Sequence, residues 1–185
     1  MNDEKVKQFI ELAGQKGSSE FITGTEKQRE LGAQLLLSEV LEYIIKGLGV
    51  IPVVNGVEIT EPDSLTYNAQ KIPDKLELVD GLCDVAYTMF WNAVTFGIPL
   101  EEAFIIVCEN NLEKFVKLPN EFGTGLGELE KSNWHCNKNI SWPVEVSNVY
   151  IVSYNGIQYA VGKDKTGKVR KPSSFSIVDL NKFLI

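Results

Sequence analysis

Residues 35–45, LLLSEVLEYII, and residues 75–90, KLELVDGLCDVAYTMF, decide how this chain is read. Each is an apolar run interrupted by acids at helical spacing: Glu39 and Glu42 in the first, and Glu77, Asp80 and Asp84 in the second. Residues three, four or seven apart share one face of a helix. At 100° per residue, Glu77, Asp80 and Asp84 fall within about 60° of one another, and Thr88 and Trp91 continue the stripe. An isolated carboxylate within apolar surroundings is costly to bury. Spacing alone also fits a solvated outer face. The nearly all-apolar flanks instead favour two acidic patches that face each other, a set of hard oxygen donors suited to Mg²⁺. No histidine lies in either cluster, which selects Mg²⁺, or Mn²⁺ in its place, over zinc.

Outward from these runs, the sequence predicts a helical protein with a β-rich tail. A short amphipathic helix is expected from about Asp3 to Gln15, with Val6, Phe9, Ile10 and Ala13 on its apolar side. Thr25 and Gln28 form a capping box that opens a long helix to about Lys46, with Gly47 and Gly49 as stop signals. VIPVVNGVEIT (50–60) reads as a hairpin about Asn55-Gly56. Pro73-Asp74 starts a second main helix that ends at Gly97, and Pro99 opens a third through about Phe115. Residues 119–143 lack any period and read as a loop. Residues 144–172 read as strands joined by turns at Asn155-Gly156 and Lys165–Gly167. Short connections favour antiparallel helices, so the acidic faces are expected to meet inside a helical bundle. Two domains follow from this reading: a helical catalytic domain over 1–117 and an irregular, β-rich extension over 118–185, within one globular unit.

Composition bounds the function. The 185 residues are 44% hydrophobic, enough for a core, and carry a net charge of −7, with a pI near 4.9. That balance argues against a nucleic-acid polymer as partner, but not against a nucleotide, since a bound metal inverts the local sign. Three scattered cysteines, Cys83, Cys108 and Cys136, read as reduced thiols, with Cys83 and Cys108 as small core hydrophobes. Without an apolar leader or span, the expectation is a cytoplasmic protein that does not engage a membrane. His135 beside Cys136 has no second ligand pair at zinc spacing. GTGLGE (123–128) lacks the strand–helix context of a phosphate loop. The basic run Lys163–Lys171 reads as a solvated turn.

Four segments in order carry a family resemblance: LLLSEVLEYIIKGLGV (35–50), ELVDGLCDVAYTMFWNAVTFGIPLEEAF (77–104), ENNLEKF (109–115) and GKVRKPSSF (167–175). Together they resemble the MazG-like and phosphoribosyl-ATP pyrophosphohydrolase-like group of all-α nucleoside triphosphate pyrophosphohydrolases. The match covers about residues 6–115 and 162–180. The resemblance implies a mainly α helical bundle of that type, with a small β-hairpin insertion and a β-rich C-terminal appendage. It implies that Glu39, Glu42, Asp80 and Asp84 bind Mg²⁺, with Glu77 a ligand or the residue that orients water. Glu39, Glu42, Glu77 and Asp80 would be the catalytic set. Asn111 and Lys114 would contact phosphates, Lys168 and Lys171 are weaker candidates for the same role, and Trp91, with Tyr87, could stack a base. The implied reaction converts a nucleoside triphosphate to monophosphate and pyrophosphate in a homodimer or homotetramer. Phosphoribosyl-ATP hydrolysis, or a non-enzymatic oligomer that binds nucleotides or protein, are the rival expectations. Ser38 stands where the group usually has its first glutamate, which leaves the number of metals open. Pro99 replaces a helix-capping aspartate, and the stretch from about Val116 to Ala160 has no counterpart.

Overall fold

The computed structural model describes residues 4–119, 125–136 and 139–184. The stretch GTGLGE therefore lies partly outside the described residues. Among the described residues four α-helices form: α1 (Glu4–Leu12), α2 (Glu26–Glu42), α3 (Lys75–Phe96) and α4 (Leu100–Leu112). With them are a hairpin of β1 (Val53–Val54) and β2 (Val57–Glu58), and a sheet of β3 (Val116–Lys117), β4 (Gly127–Leu129), β5 (Asn148–Tyr154) and β6 (Ile157–Lys163). Over the described residues the protein is thus 41% helical and 14% strand, a mixed α/β fold and not the expected mainly α helical bundle. The physical reason lies in the sheet. It takes up the apolar sides of α1 and of the end of α4, which the bundle reading had assigned to other helices.

The chain divides into two compact units, residues 1–20 with 81–185, and Phe21–Asp80. The first is built on an antiparallel sheet of order β3-β6-β5-β4. Asn155 (φ 50°) and Gly156 (φ 76°) make the tight turn between β5 and β6, a primed turn whose twist suits flanking strands. Strand alternation gives the sheet two apolar faces. On one, Val149, Ile151, Ala160, Val116 and Leu129 pack with Cys136 and Val146, under Trp134, Ile140 and Trp142. On the other, Val161 packs with Leu12, Ala13 and Phe115, flanked by Phe9, Tyr150, Val152 and Tyr159. Phe9 meets Phe115 edge-on, with ring centres 5.0 Å apart.

Gly14 (φ 65°) ends α1. The Gln15 N–H donates to Ile10 O and the Gly14 N–H to Glu11 O, the two bonds of a Schellman stop. Lys163 Nζ reaches the same helix end and donates to Ala13 O, with its ammonium 5.3 Å from the Tyr150 ring centre. Burial pushes the Lys163 pKa down. Lys163 is therefore half-buried and structural, not part of a solvated turn as the sequence suggested.

Next to it, Asp164 is the hub of the following turn. Its carboxylate accepts from the Thr166 hydroxyl (2.7 Å) and N–H (2.9 Å), the Lys168 N–H (3.0 Å) and Arg170 Nε (2.8 Å). Burial opposes the charge, but these donors together outweigh it and hold the carboxyl below its ordinary value. The folded protein then binds fewer protons here than the unfolded chain, so stability rises with pH through this window. Asp164→Asn is expected to cost about 1.5–3 kcal/mol at neutral pH. The gap to wild type should shrink as pH falls below about 4, where the unfolded chain takes up the proton first and the folded protein only at lower pH. Urea denaturation of both proteins from pH 7 to pH 3 measures it.

The second unit starts as the sequence predicts. The Thr25 hydroxyl accepts from the Gln28 N–H (3.2 Å) and Gln28 Oε1 accepts from the Thr25 N–H (2.8 Å), opening α2. After Glu42 the helix widens into a π-turn over Tyr43–Gly47. The β1–β2 turn is the expected Asn55-Gly56, and Glu30 fixes the connection to α3 by accepting from the Ala69 N–H (3.0 Å). Within residues 21–80 only Ser38 and Leu41 are buried. No single helix in the described residues is long and apolar enough to cross a membrane.

Candidate metal-binding faces

On α2, Ser38 points inward, and its hydroxyl donates weakly back to Leu35 O at 3.4 Å. Glu39 and Glu42 follow on the open side, and both are exposed. Glu42 accepts from Lys46 one turn on, at 2.9 Å. That hydrogen bond and charge push the Lys46 pKa up. On α3, the Asp74 carboxylate caps the helix by accepting from the N–H groups of Leu76 (2.8 Å) and Glu77 (3.3 Å). Glu77, Asp80 and Asp84 then rise one turn after another, all exposed. Each helix therefore carries its acidic stripe as its period requires.

The two stripes are not gathered into one cage. Among the described residues, no three side chains of His, Cys, Asp or Glu come together so as to hold a metal ion. By donor chemistry the five carboxylates still suit Mg²⁺, because they offer only oxygen and no imidazole or thiolate. What one chain supplies is donors of the right kind on separate helical faces.

The remaining candidates sit in other settings. Asn111 is half-buried at the end of α4, where its carbonyl accepts from the Lys114 N–H (3.3 Å). Lys114 lays its ammonium 5.6 Å from the Phe9 ring centre, on the rim of the second core. Their neighbours bind the C-terminal segment: Asn110 donates to Ser176 O (3.0 Å), and Ser176 Oγ donates to Glu113 (2.6 Å). ENNLEKF thus has a structural task beside any phosphate contact. Lys168 is half-buried next to the Asp164 turn, and Lys171 is exposed, 4.7 Å from the Phe175 ring centre. Trp91 and Tyr87 lie on the open side of α3 rather than in a core. Cys83 is exposed as well, against expectation, whereas Cys108 and Cys136 are buried and all three thiols are free. Burial raises the pKa of both buried thiols. Exposed His135 contacts only Ile140 O (3.2 Å) among the described residues.

Sequence reasoning missed Lys163 and Asp164 as organising groups. The one available signal was Asp-x-Thr-Gly at 164–167, an Asx-type turn in which the carboxylate bonds the backbone two residues on. No protein-family model, curated protein or solved structure matches the chain.

Proposed function

We propose that the protein is a Mg²⁺-dependent pyrophosphohydrolase that converts a nucleoside triphosphate, in the deoxy series, to monophosphate and pyrophosphate. The observation that carries this reading is the pair of exposed all-carboxylate stripes on α2 and α3, set among apolar residues. Glu39 and Glu42 on one helix, and Asp80 and Asp84 on the other, would hold the ion. When bound, Mg²⁺ would neutralise phosphate charge and acidify a coordinated water. Glu77, one turn before Asp80, would accept a proton from a water on the same face. Lys168 and Lys171 would supply cations for the polyphosphate, and Asn111 and Lys114 at the end of α4 would contact phosphate oxygens. Exposed Trp91 offers a ring on which a base can stack.

A panel of ordinary and modified nucleoside triphosphates, together with phosphoribosyl-ATP, tests the reading. The purified chain is incubated with Mg²⁺ while pyrophosphate and orthophosphate are followed separately. Pyrophosphate with monophosphate is expected from at least one deoxynucleotide, and none when Mg²⁺ is chelated. Preference for phosphoribosyl-ATP would move the substrate but keep the chemistry. Orthophosphate alone, or no product from any compound, sinks the proposal.

A further inference from the structure

The end of α2 places a lysine on one of the proposed metal ligands. After Glu42 the backbone widens into the π-turn over Tyr43–Gly47, closed by the Leu48 N–H donating to Tyr43 O (2.9 Å). Gly47 makes room for it: a Cβ there would stand 3.0 Å from Cδ2 of the Tyr43 ring, which lies against this position. Single π-turns are uncommon and recur at functional sites. From this turn Lys46 Nζ reaches back to Glu42 Oε1 at 2.9 Å, and both side chains remain exposed.

The ammonium is set among acids. Glu42 acts on it most strongly, through the hydrogen bond and its charge, and Glu61 and Asp63 of the segment after β2 add to the field. All four residues belong to the unit Phe21–Asp80, as do Glu39, Glu77 and Asp80. Lys114, Lys168 and Lys171 belong to the other unit, whereas Lys46 shares a helix end with the carboxylate itself.

An ammonium and a divalent cation compete for that carboxylate. Mg²⁺ demands oxygen ligands at about 2.0–2.1 Å in a near-octahedral shell, and a positive charge held at the same carboxylate repels it. An exposed pair one turn apart gives way readily, since such pairs shift an equilibrium by only about twofold. The lysine stem is flexible and its charge compact, so the released ammonium stays within a turn of the ion. There a Mg²⁺-bound polyphosphate would concentrate negative charge, and lysine is a common phosphate partner.

We propose that Lys46 occupies the Glu42 carboxylate in the metal-free protein, yields it to the divalent ion, and then pairs with the polyphosphate that the ion carries. No covalent bond changes; the ammonium exchanges one anionic partner for another. The exchange rests on Glu42 being a Mg²⁺ ligand, as proposed above.

Effects of opposite sign are expected at this one residue. In Lys46→Met, Mn²⁺ alone, followed by electron paramagnetic resonance of the free ion, should bind about three- to fivefold tighter than in wild type. Inorganic tripolyphosphate with excess Mg²⁺, followed by calorimetry, should bind about three- to fivefold more weakly. Lys46→Arg keeps the charge and should lie near wild type in both. In a Glu42→Gln background, Lys46→Met should bring no tightening of Mn²⁺, because the competition acts through that carboxylate. Trace acetylation of wild type, read by mass spectrometry, needs no variant: Lys46 should react faster once Mg²⁺ is added and slower when tripolyphosphate follows. The exchange is overturned by Mn²⁺ affinity that Lys46→Met leaves unchanged or weakens, or by equal tightening in the Glu42→Gln background. Tripolyphosphate binding that ignores Lys46, or acetylation that ignores Mg²⁺, overturns it too. A wild-type protein that binds no Mn²⁺, or binds it no better than Glu42→Gln, instead removes Glu42 from the metal site, and the reading beneath the exchange fails with it.

Discussion

Exchanging Glu42 for Gln and Asp80 for Asn is expected to lower Mg²⁺-dependent pyrophosphate release by about a hundredfold or more. Each amide keeps the shape of the carboxylate and removes the charge that a hard divalent ion requires. Loss of even a supporting group around a metal commonly costs about 10–100-fold in affinity or activity. Both side chains are exposed in the single chain, so the melting temperature should barely move while activity collapses. Titrating Mg²⁺ separates the roles further. If Asp80 is a ligand, residual activity in Asp80→Asn should saturate at higher Mg²⁺ than in wild type. If Glu77 only positions water, Glu77→Gln should lower kcat with the Mg²⁺ requirement unchanged. Glu58→Gln, an exposed acid outside both stripes, is the control and should leave both quantities alone. Unchanged activity in Glu42→Gln and Asp80→Asn would remove the carboxylates from the mechanism.

These stripes also show which parts of the molecule could be read from sequence. Signals that act within a few residues were legible. The Thr25–Gln28 box, the Asn55-Gly56 and Asn155-Gly156 turns and the Gly97 stop each follow from local backbone chemistry, and each forms. Helical period likewise placed Glu39 with Glu42, and Glu77 with Asp80 and Asp84, on common faces. Period, however, says which side of a helix is apolar, not what covers it. Leu12, Ala13 and Phe9 of the first segment cover a sheet, although the pattern fits helix packing equally well. The stretch over 119–143 has no period and read as loop. Its described residues nonetheless supply Trp134, Cys136, Ile140 and Trp142 to the sheet's other face. The apolar, acid-striped α3 looked like the inside of a bundle, yet most of its large apolar residues are exposed in one chain.

Gly162→Ala should be the most damaging single methyl added to this chain. Gly162 lies on β6 over the ring of Trp142, and a Cβ there would sit 2.5 Å from Cε3, 2.9 Å from Cζ3 and 3.1 Å from Cδ2. The indole is not free to withdraw. Trp142 Nε1 donates to Trp134 O (3.1 Å), and Trp134 Nε1 donates in turn to Leu129 O (3.0 Å). Moving the ring would therefore strain two buried-side hydrogen bonds and open the core beneath Val149 and Ile151. Overpacking of this kind costs about 1–3 kcal/mol. At about 2–4 °C per kcal/mol for a chain of this size, the melting temperature should fall by roughly 2–12 °C. Gly32→Ala, in the middle of α2 with nothing within 4 Å of its added Cβ, should instead be neutral or stabilise by about 0.5–1 kcal/mol. The decisive measurement is a double-mutant cycle with Trp142→Leu, a smaller apolar side chain that leaves room for the methyl. If the clash sets the cost, Gly162→Ala should be far milder in the Trp142→Leu background, with a coupling of about 1–2 kcal/mol. Additive effects would mean that Gly162 is needed for its backbone and not for the ring above it.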